Sequence, residues 1–333
     1  MLQDAFGRRF YYLRLSITDV CNFRCQYCLP DGYQCDHDRN FLTLPEIKTL
    51  AATFARLGTE KIRITGGEPS LRKDLPEIIS ACKNTSGIKK VGITTNGYKL
   101  PEHLPSWLDA GLDAINISID SLDAKQFQLI TGHNKLATIL EGIDQALAAP
   151  QLTVKVNTVL MRGFNLDELS RFLGWVKDKP VSLRFIELMQ TGDNTTFFDQ
   201  QHVSGDTIKR HLLQNGWLPA LRDKTAGPAQ EFYHPDYAGK IGLIMPYSKD
   251  FCASCNRLRI SSLGKLHLCL FAEQGHELRH LLTPNTQSDA QSNDKKIERI
   301  ADEITALLGD KKVSHFLQDR LTGATKHLSM LGG

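Results

Sequence analysis

The chain has 333 residues, 40 basic against 37 acidic side chains for a net charge of +3, and is 41% apolar. Those proportions fit a globular protein of one large domain with an appendage, or of two domains, and so weak a charge gives no reason to expect nucleic acid as a partner. No apolar run approaches the roughly 20 residues needed to span a membrane, and Met1–Arg9 carries no signal-peptide core. The eight cysteines are therefore expected in the cytoplasm, where they report metal or catalysis rather than disulfides.

In chain order, a strand is expected over Tyr11–Thr18, and it delivers Cys21, Cys25 and Cys28 in a polar loop reading C-x-x-x-C-x-x-C. Three thiolates can hold three irons of a cubane cluster and leave the fourth iron open, a place to bind and activate a ligand. The same offsets also suit a helical core stripe, but Pro30 and Gly32 follow at once and no apolar stripe continues. A zinc loop with a distant fourth ligand is the other alternative.

Thr43-Leu44-Pro45-Glu46 is a capping-box signature opening a helix with Ile47, Leu50, Ala51, Phe54 and Leu57 on one face and Gly58 as its stop. A strand over Lys61–Thr65 then runs into Gly66-Gly67-Glu68-Pro69, where two glycines permit close backbone approach to a ligand. Further strands are expected over Val91–Thr95, Ala114–Ile119, Thr153–Leu160 and Ser182–Glu187, with Leu136, Leu140, Ile143 and Leu147 at helical spacing before the fifth. Six strand–helix repeats imply a parallel sheet, either doubly wound or curled into an incomplete barrel. Polar residues recur at the strands' carboxyl ends, the ligand face of such barrels.

Beyond Glu187 the rhythm changes. Gly192–Thr196 is turn-rich, a helix is expected around Val203–Asn215, and hairpin-like runs follow at Lys240–Pro246 and Leu258–Phe271 with a turn at Gly264. Asn285–Lys296 reads as a loose polar stretch before an amphipathic helix carrying Ile297, Ile300, Ile304 and Leu307. Here lies a second cysteine set, Cys252, Cys255 and Cys269, for which a zinc ribbon completed by His267 is the competing reading. Cys35 and Cys82 are left over as ordinary thiols.

The C-x-x-x-C-x-x-C loop with Gly-Gly-Glu-Pro one strand–helix unit later resembles the radical S-adenosylmethionine superfamily. The second triplet, the intervening Asn256-Arg257-Leu258-Arg259-Ile260 and the terminal Gly332-Gly333 resemble its GTP 3′,8-cyclase branch, over nearly the whole chain from Arg14. That resemblance implies a six-stranded partial (β/α) barrel over 1–225 and a cap region over 226–333 carrying a second cluster. It implies two 4Fe-4S clusters on the two triplets, and S-adenosylmethionine contacted by Tyr27, Gly67, Ser118 and Met189. GTP would be contacted by Arg14, Arg63, Thr94, Lys155, Arg257, Leu258 and Arg259, with Arg257, Arg259, Gly332 and Gly333 serving catalysis.

The implied reaction is radical cyclisation of GTP to 3′,8-cyclo-7,8-dihydro-GTP, the first step toward molybdopterin. Its implied partners are a flavodoxin- or ferredoxin-like electron donor and a downstream cyclic pyranopterin monophosphate synthase, with a homodimer left open. Arg14, Arg63, Arg72, Lys155, Arg257 and Arg259 all lie in or beside the motifs, which suits a triphosphate. Two departures are apolar for apolar: Leu29, where the family commonly has methionine, and the tail Leu328-Ser329-Met330-Leu331. A ferredoxin-like carrier would not need so large an α/β scaffold. A peptide-modifying radical enzyme generally holds more auxiliary cysteines, and a zinc-binding module without catalysis is the remaining alternative.

Overall fold

The computed structural model describes residues 1–34, 40–221, 226–282 and 290–332, with backbone but no side chains for 290–292. Cys35 and Gly333 thus lie outside the described residues.

The strands are β1 (Tyr12–Ser16), β2 (Lys61–Thr65), β3 (Lys90–Thr95), β4 (Ala114–Ser118), β5 (Thr153–Leu160), β6 (Ser182–Glu187), β7 (Leu218–Pro219), β8 (Gln230–Tyr233), β9 (Lys240–Ile244), β10 (Arg257–Ile260), β11 (Lys265–His267) and β12 (His276–Glu277). The helices are α1 (Leu44–Arg56), α2 (Leu75–Lys83), α3 (Leu100–Asp109), α4 (Ala124–Thr131), α5 (Leu136–Leu147), α6 (Leu169–Lys177), α7 (Thr195–Gln201), α8 (Asp206–Gln214), α9 (Arg279–Leu282) and α10 (Ala290–Leu307). All the strands share one sheet, in the order β12-β11-β10-β1-β2-β3-β4-β5-β6-β9-β8-β7. Strands β1 to β6 are parallel neighbours, as the strand–helix alternation requires.

The C-terminal runs do form hairpins, β10 with β11 across the turn at Gly264 and β9 with the preceding β8, but these extend the main sheet rather than standing apart from it. Strand β9 adds in parallel beside β6 and β10 adds in parallel beside β1, so eight consecutive strands run parallel. The antiparallel hairpin partners β11 and β8 then lie outside them. A boundary at 225 therefore does not separate two sheets, because strands from after that residue extend both edges of the six-stranded core.

Alternation within the strands sorts the chain into a dry outer layer and a polar inner face. Leu13, Leu15, Ile62, Ile64, Val91, Ile93, Ile115, Ile117, Val156 and Leu183 are completely buried against the helices. Helix α1 supplies Ile47, Leu50, Ala51 and Phe54 to this layer, and its capping box is complete: Thr43 Oγ1 accepts from the Glu46 N–H and Glu46 accepts from the Thr43 N–H. Each such side chain contributes about 1.5–3 kcal/mol through burial. In α5, Leu136 and Ile143 are buried as expected, but Leu140 and Leu147 are only partly buried and Ile139 and Ala146 complete the buried face.

Two further expectations change. Thr195 and Thr196 open α7 rather than a turn, and α10 begins at Ala290, so the stretch expected to be loose is helical from that residue onward. Within α10, Ile300 and Ile304 are fully buried. Among the described residues, no helix is long and apolar enough to cross a membrane.

Candidate active site between two cysteine triplets

The first cysteine loop is held from three sides. Gly67 N–H donates to the Thr18 carbonyl and Glu68 N–H to that of Val20, so the Gly-Gly-Glu turn continues the pairing of β1 and β2. A Cβ on Gly66 would overlap the Thr18 carbonyl, and one on Gly67 those of Asp19 and Val20. The two glycines are thus demanded by the cysteine loop's own backbone. Glu68 is buried, accepting from Thr95 Oγ1 (2.7 Å), Asn96 N (2.6 Å) and Ser70 N (3.0 Å). From behind, Phe23 roots the loop, stacking on His133 at 4.7 Å and meeting Phe127 and Tyr98 edge-on. The sequence signal for Phe23 was one apolar residue in an otherwise polar loop.

Tyr27 donates to Asp120 Oδ2 at 3.0 Å, and Val159 N–H donates to Asp120 Oδ1 at 2.8 Å. Burial raises the Asp120 carboxyl to about 6. Burial, with Glu68 and Cys28 adding to it, raises Cys21 to about 12. Cys28 rises to about 11 through burial and Asp120, although Ser329 and Leu328 bond its sulfur.

The polar inner face forms the second part of the site. Eight basic side chains line one cavity: Arg14, Lys61, Arg63, Lys90, Lys155, Arg184, Arg257 and Arg259. Among the described residues, no Asp or Glu lines it. Register explains the convergence. Arg14 pairs with Arg63 on β2 and Arg259 on β10, while Arg63 pairs with Gly92 on β3. A Cβ on Gly92 would stand 2.9 Å from the Arg63 guanidinium carbon, so the glycine makes room for it. Gly242 does the same for Arg184, whose Cγ would be 2.9 Å away. It also lets Glu231 reach across the sheet to Arg184 (3.2 Å) and Lys155 (3.7 Å). Burial and the neighbouring arginines pull Lys155 down to about 7 and Lys61 to about 8, which a bound polyanion would reverse.

Buried polar atoms mark the same face. Ser16 Oγ, Arg63 Nε, Thr94 Oγ1, Asn116 Oδ1, Asn157 Oδ1 and Arg184 Nε, one from each of β1 to β6, have no hydrogen-bond partner in the protein. An unmet buried polar group costs about 1–3 kcal/mol. Six in one ring are the signature of a ligand site. The free volume is only about 120 Å³, below the ~300 Å³ at the small end of ligand clefts. Long basic side chains fill the remainder.

Cys252, Cys255 and Cys269 also line this cavity. Burial acts to raise Cys255, but Arg257, Lys311 and Arg8 outweigh it and bring the thiol down to about 7. Arg8, paired with Asp4 at 2.6 Å, donates to the carbonyls of Cys252, Lys312 and Val313 and clamps this loop. Among the described residues, no three His, Cys, Asp or Glu side chains converge as ligands of a single ion. His267 lines a different cavity, with Cys28, whereas Cys252, Cys255 and Cys269 line the basic one, an arrangement that does not favour a zinc ribbon completed by His267. A cubane, with a metal at each corner, spreads its thiolates wider than one ion does.

The tail lies between the two triplets. Arg14 donates to the Gly332 carbonyl, and Arg259 donates to those of Leu331 and Gly332. A Cβ on Gly332 would overlap Thr65, so this glycine is sterically required. Cys28, Met330 and Leu331 line a neighbouring cavity of about 740 Å³. Cys28 and the second triplet thus line two different cavities, with Met330 and Leu331 of the tail on the wall of the one that Cys28 lines.

Of the other expected residues, Met189 lines the basic cavity and Ser118 and Thr94 lie on its strand face. Arg72 and Leu258 depart from expectation. Arg72 pairs with Asp74 and donates to the Ile17 and Leu42 carbonyls, a structural role that holds the strand ends. The Leu258 side chain is buried in the outer apolar layer, since alternation in β10 turns only Arg257 and Arg259 inward. Lys61, Lys90 and Arg184 were missed, because isolated bases in apolar strands look like ordinary surface charges until the register assembles them.

Residues 15–176 match the model of the radical SAM superfamily and residues 181–317 that of the molybdenum cofactor synthesis C-terminal region. A GTP 3′,8-cyclase from Psychromonas ingrahamii is 55% identical over 332 residues, covering the whole of this chain and 95% of its own. Among solved structures, Streptococcus suis SuiB bound to S-adenosylmethionine aligns with 98% of this chain and 72% of its own, with TM-score 0.58 at 12% identity. SuiB bound to its precursor peptide SuiA aligns over the same shares with TM-score 0.53. At such identity the likeness is one of fold.

Proposed function

The chain belongs to the GTP 3′,8-cyclase family of the radical SAM superfamily, and we propose that it converts GTP to 3′,8-cyclo-7,8-dihydro-GTP with its two cysteine triplets each holding a 4Fe-4S cluster. The first triplet is the superfamily's cluster site and S-adenosylmethionine its co-substrate; together they supply one-electron chemistry that removes the ribose 3′ hydrogen. Tyr27, Gly67, Ser118 and Met189 are assigned to S-adenosylmethionine. The buried acids Glu68 and Asp120 suit a cationic sulfonium and amino group nearby.

Arg14, Arg63, Thr94, Lys155, Arg257 and Arg259 are assigned to GTP, joined by Lys61 and Arg184. The observation that carries this assignment is the cavity with, among the described residues, eight basic side chains, no carboxylate on its wall and a ring of unmet polar atoms. Guanidinium forks match phosphate oxygens, and the low dielectric of a buried site strengthens each pairing. The second triplet is assigned to the base of the nucleotide, fixing it while the ribose reacts. Gly332 and Gly333 are assigned to catalysis as residues without side chains, and Arg14 and Arg259 hold the Gly332 carbonyl. A walled interior also excludes water and competing hydrogen donors.

Anaerobically reconstituted protein should contain about eight iron and eight sulfide per chain. Incubated reduced with S-adenosylmethionine and GTP, it should release 5′-deoxyadenosine and the cyclised nucleotide. Formation of 5′-deoxyadenosine that GTP does not stimulate would overturn the cyclase reading. A flavodoxin- or ferredoxin-like donor and a downstream cyclic pyranopterin monophosphate synthase follow as partners from the same proposal.

A further inference from the structure

The basic cavity also has an apolar wall. Lys and Arg side chains reach the cavity from the strands, whereas Pro246, Phe251, Leu268, Leu270 and Phe271 are apolar, with the Arg257 guanidinium 5.9 Å from the Phe251 ring. His315 stands in this apolar wall, 6% exposed, its ring 5.8 Å from that of Phe251 and 5.9 Å from that of Phe271. The Leu317 N–H donates to its Nδ1 at 3.0 Å. A ring nitrogen that accepts from a main-chain N–H carries no proton, so the neutral imidazole bears its proton on Nε2. That Nε2 is buried on the cavity wall and has no hydrogen-bond partner in the protein. The Pro246 carbonyl faces the ring without reaching hydrogen-bond geometry to Nε2. The same tautomer removes Nε2 as a metal ligand, because its lone pair is replaced by a proton.

We propose that His315 is a specificity-determining residue whose Nε2–H donates to the base of the bound nucleotide and selects a 6-oxo purine. This rests on the reading that a guanine nucleotide enters the cavity with its base toward the apolar wall and its phosphates toward the basic side chains. The O6 and N7 edge of guanine presents two acceptors, whereas adenine places an amino donor where O6 stands. A buried donor facing that amino group stays unmet, which disfavours the adenine nucleotide.

The test is equilibrium binding of GTP, ITP and ATP to anaerobically reconstituted protein, with iron and sulfide measured on each variant. His315→Asn retains an oxygen for the Leu317 N–H but is too short to present a donor at the Nε2 position. His315→Gln places its amide nitrogen there. Parent protein should bind GTP and ITP more tightly than ATP. The Asn variant should lose about 10- to 100-fold for GTP and ITP with little change for ATP, its iron content should stay at the parent level, and the Gln variant should recover most of the preference.

An Asn variant that keeps the parent GTP-to-ATP ratio overturns the role of His315, whatever its stability. Loss of half the iron in that variant would also overturn it, making the ring a support of the cluster. Parent protein without any preference for GTP over ATP would sink this role and the guanine reading together. A Cys252, Cys255, Cys269→Ser protein that still prefers GTP, and loses the preference on His315→Asn, would sink only the second cluster's claim on the base.

Discussion

The two cysteine triplets sit in opposite electrostatic surroundings. Burial, with Glu68 and Asp120 adding to it, pushes the thiols of the first upward; beside the second, Arg257, Lys311 and Arg8 outweigh burial at Cys255 and bring it down to about 7, while burial still raises Cys252. Three thiols apiece would make the sites look equivalent. On the proposed reading, that difference suits a cationic co-substrate beside the first loop and an anionic substrate beside the second, with the tail's carbonyls held by Arg14 and Arg259.

Breaking each triplet is the sharpest way to break that comparison. Serine at Cys21, Cys25 and Cys28 should reduce 5′-deoxyadenosine formation to background. Serine at Cys252, Cys255 and Cys269 should abolish the cyclised nucleotide while leaving some GTP-independent 5′-deoxyadenosine, and mass spectrometry of both products separates the cases. Equal loss of 5′-deoxyadenosine in both variants would erase the division of labour.

Gly67→Ala tests the first loop through its backbone. The added Cβ overlaps the Asp19 and Val20 carbonyls, an overpacking cost of about 3 kcal/mol, and iron content should fall by half with the second site retained. Gly92→Ala is its counterpart on the anion side, pushing on the Arg63 guanidinium. GTP affinity should drop about tenfold, or ~1.4 kcal/mol, while S-adenosylmethionine binding measured by calorimetry stays at the parent value.

The pH dependence sharpens the anion side further. Lys155 has its folded value lowered to about 7 from 10.5. Its charge penalty is therefore fully present below pH 7 and relieved as pH climbs from there toward 10.5, so the free protein gains stability across that window. A bound triphosphate favours the cation, so the GTP dissociation constant should rise above pH 7 with a slope of up to about one decade per pH unit. Lys155→Met should flatten that slope. The smallest effect is expected at Thr43→Ala, far from both triplets: loss of the capping box should cost about 1 kcal/mol in chemical denaturation and change neither binding reaction.

Much of this was legible before any coordinates. The two triplets, the Gly-Gly-Glu turn and the six core strands follow from local spacing and alternation, and three of those strands, Lys61–Thr65, Thr153–Leu160 and Ser182–Glu187, begin and end where expected. The reason for the glycines was not legible: what approaches them is a carbonyl row of the same chain. Nor was the placement of β9 and β10 on opposite edges of the parallel core, since pairing Arg184 with Gly242 and Arg14 with Arg259 joins segments far apart in the chain and leaves no local mark. Leu258 shows the converse, a motif residue that alternation turns away from the site whose neighbours it accompanies.

By itself the sequence determined which atoms can bind iron, because thiolate chemistry and short-range spacing are local properties of the chain. Only the tertiary structure decided that eight bases from strands scattered between Arg14 and Arg259 face one cavity. It also decided that Glu231 reaches Arg184 over a glycine and that the tail lies between the triplets. Those outcomes depend on register and sheet order, which are fixed by burying the outer apolar layer as a whole and so are written in no single segment.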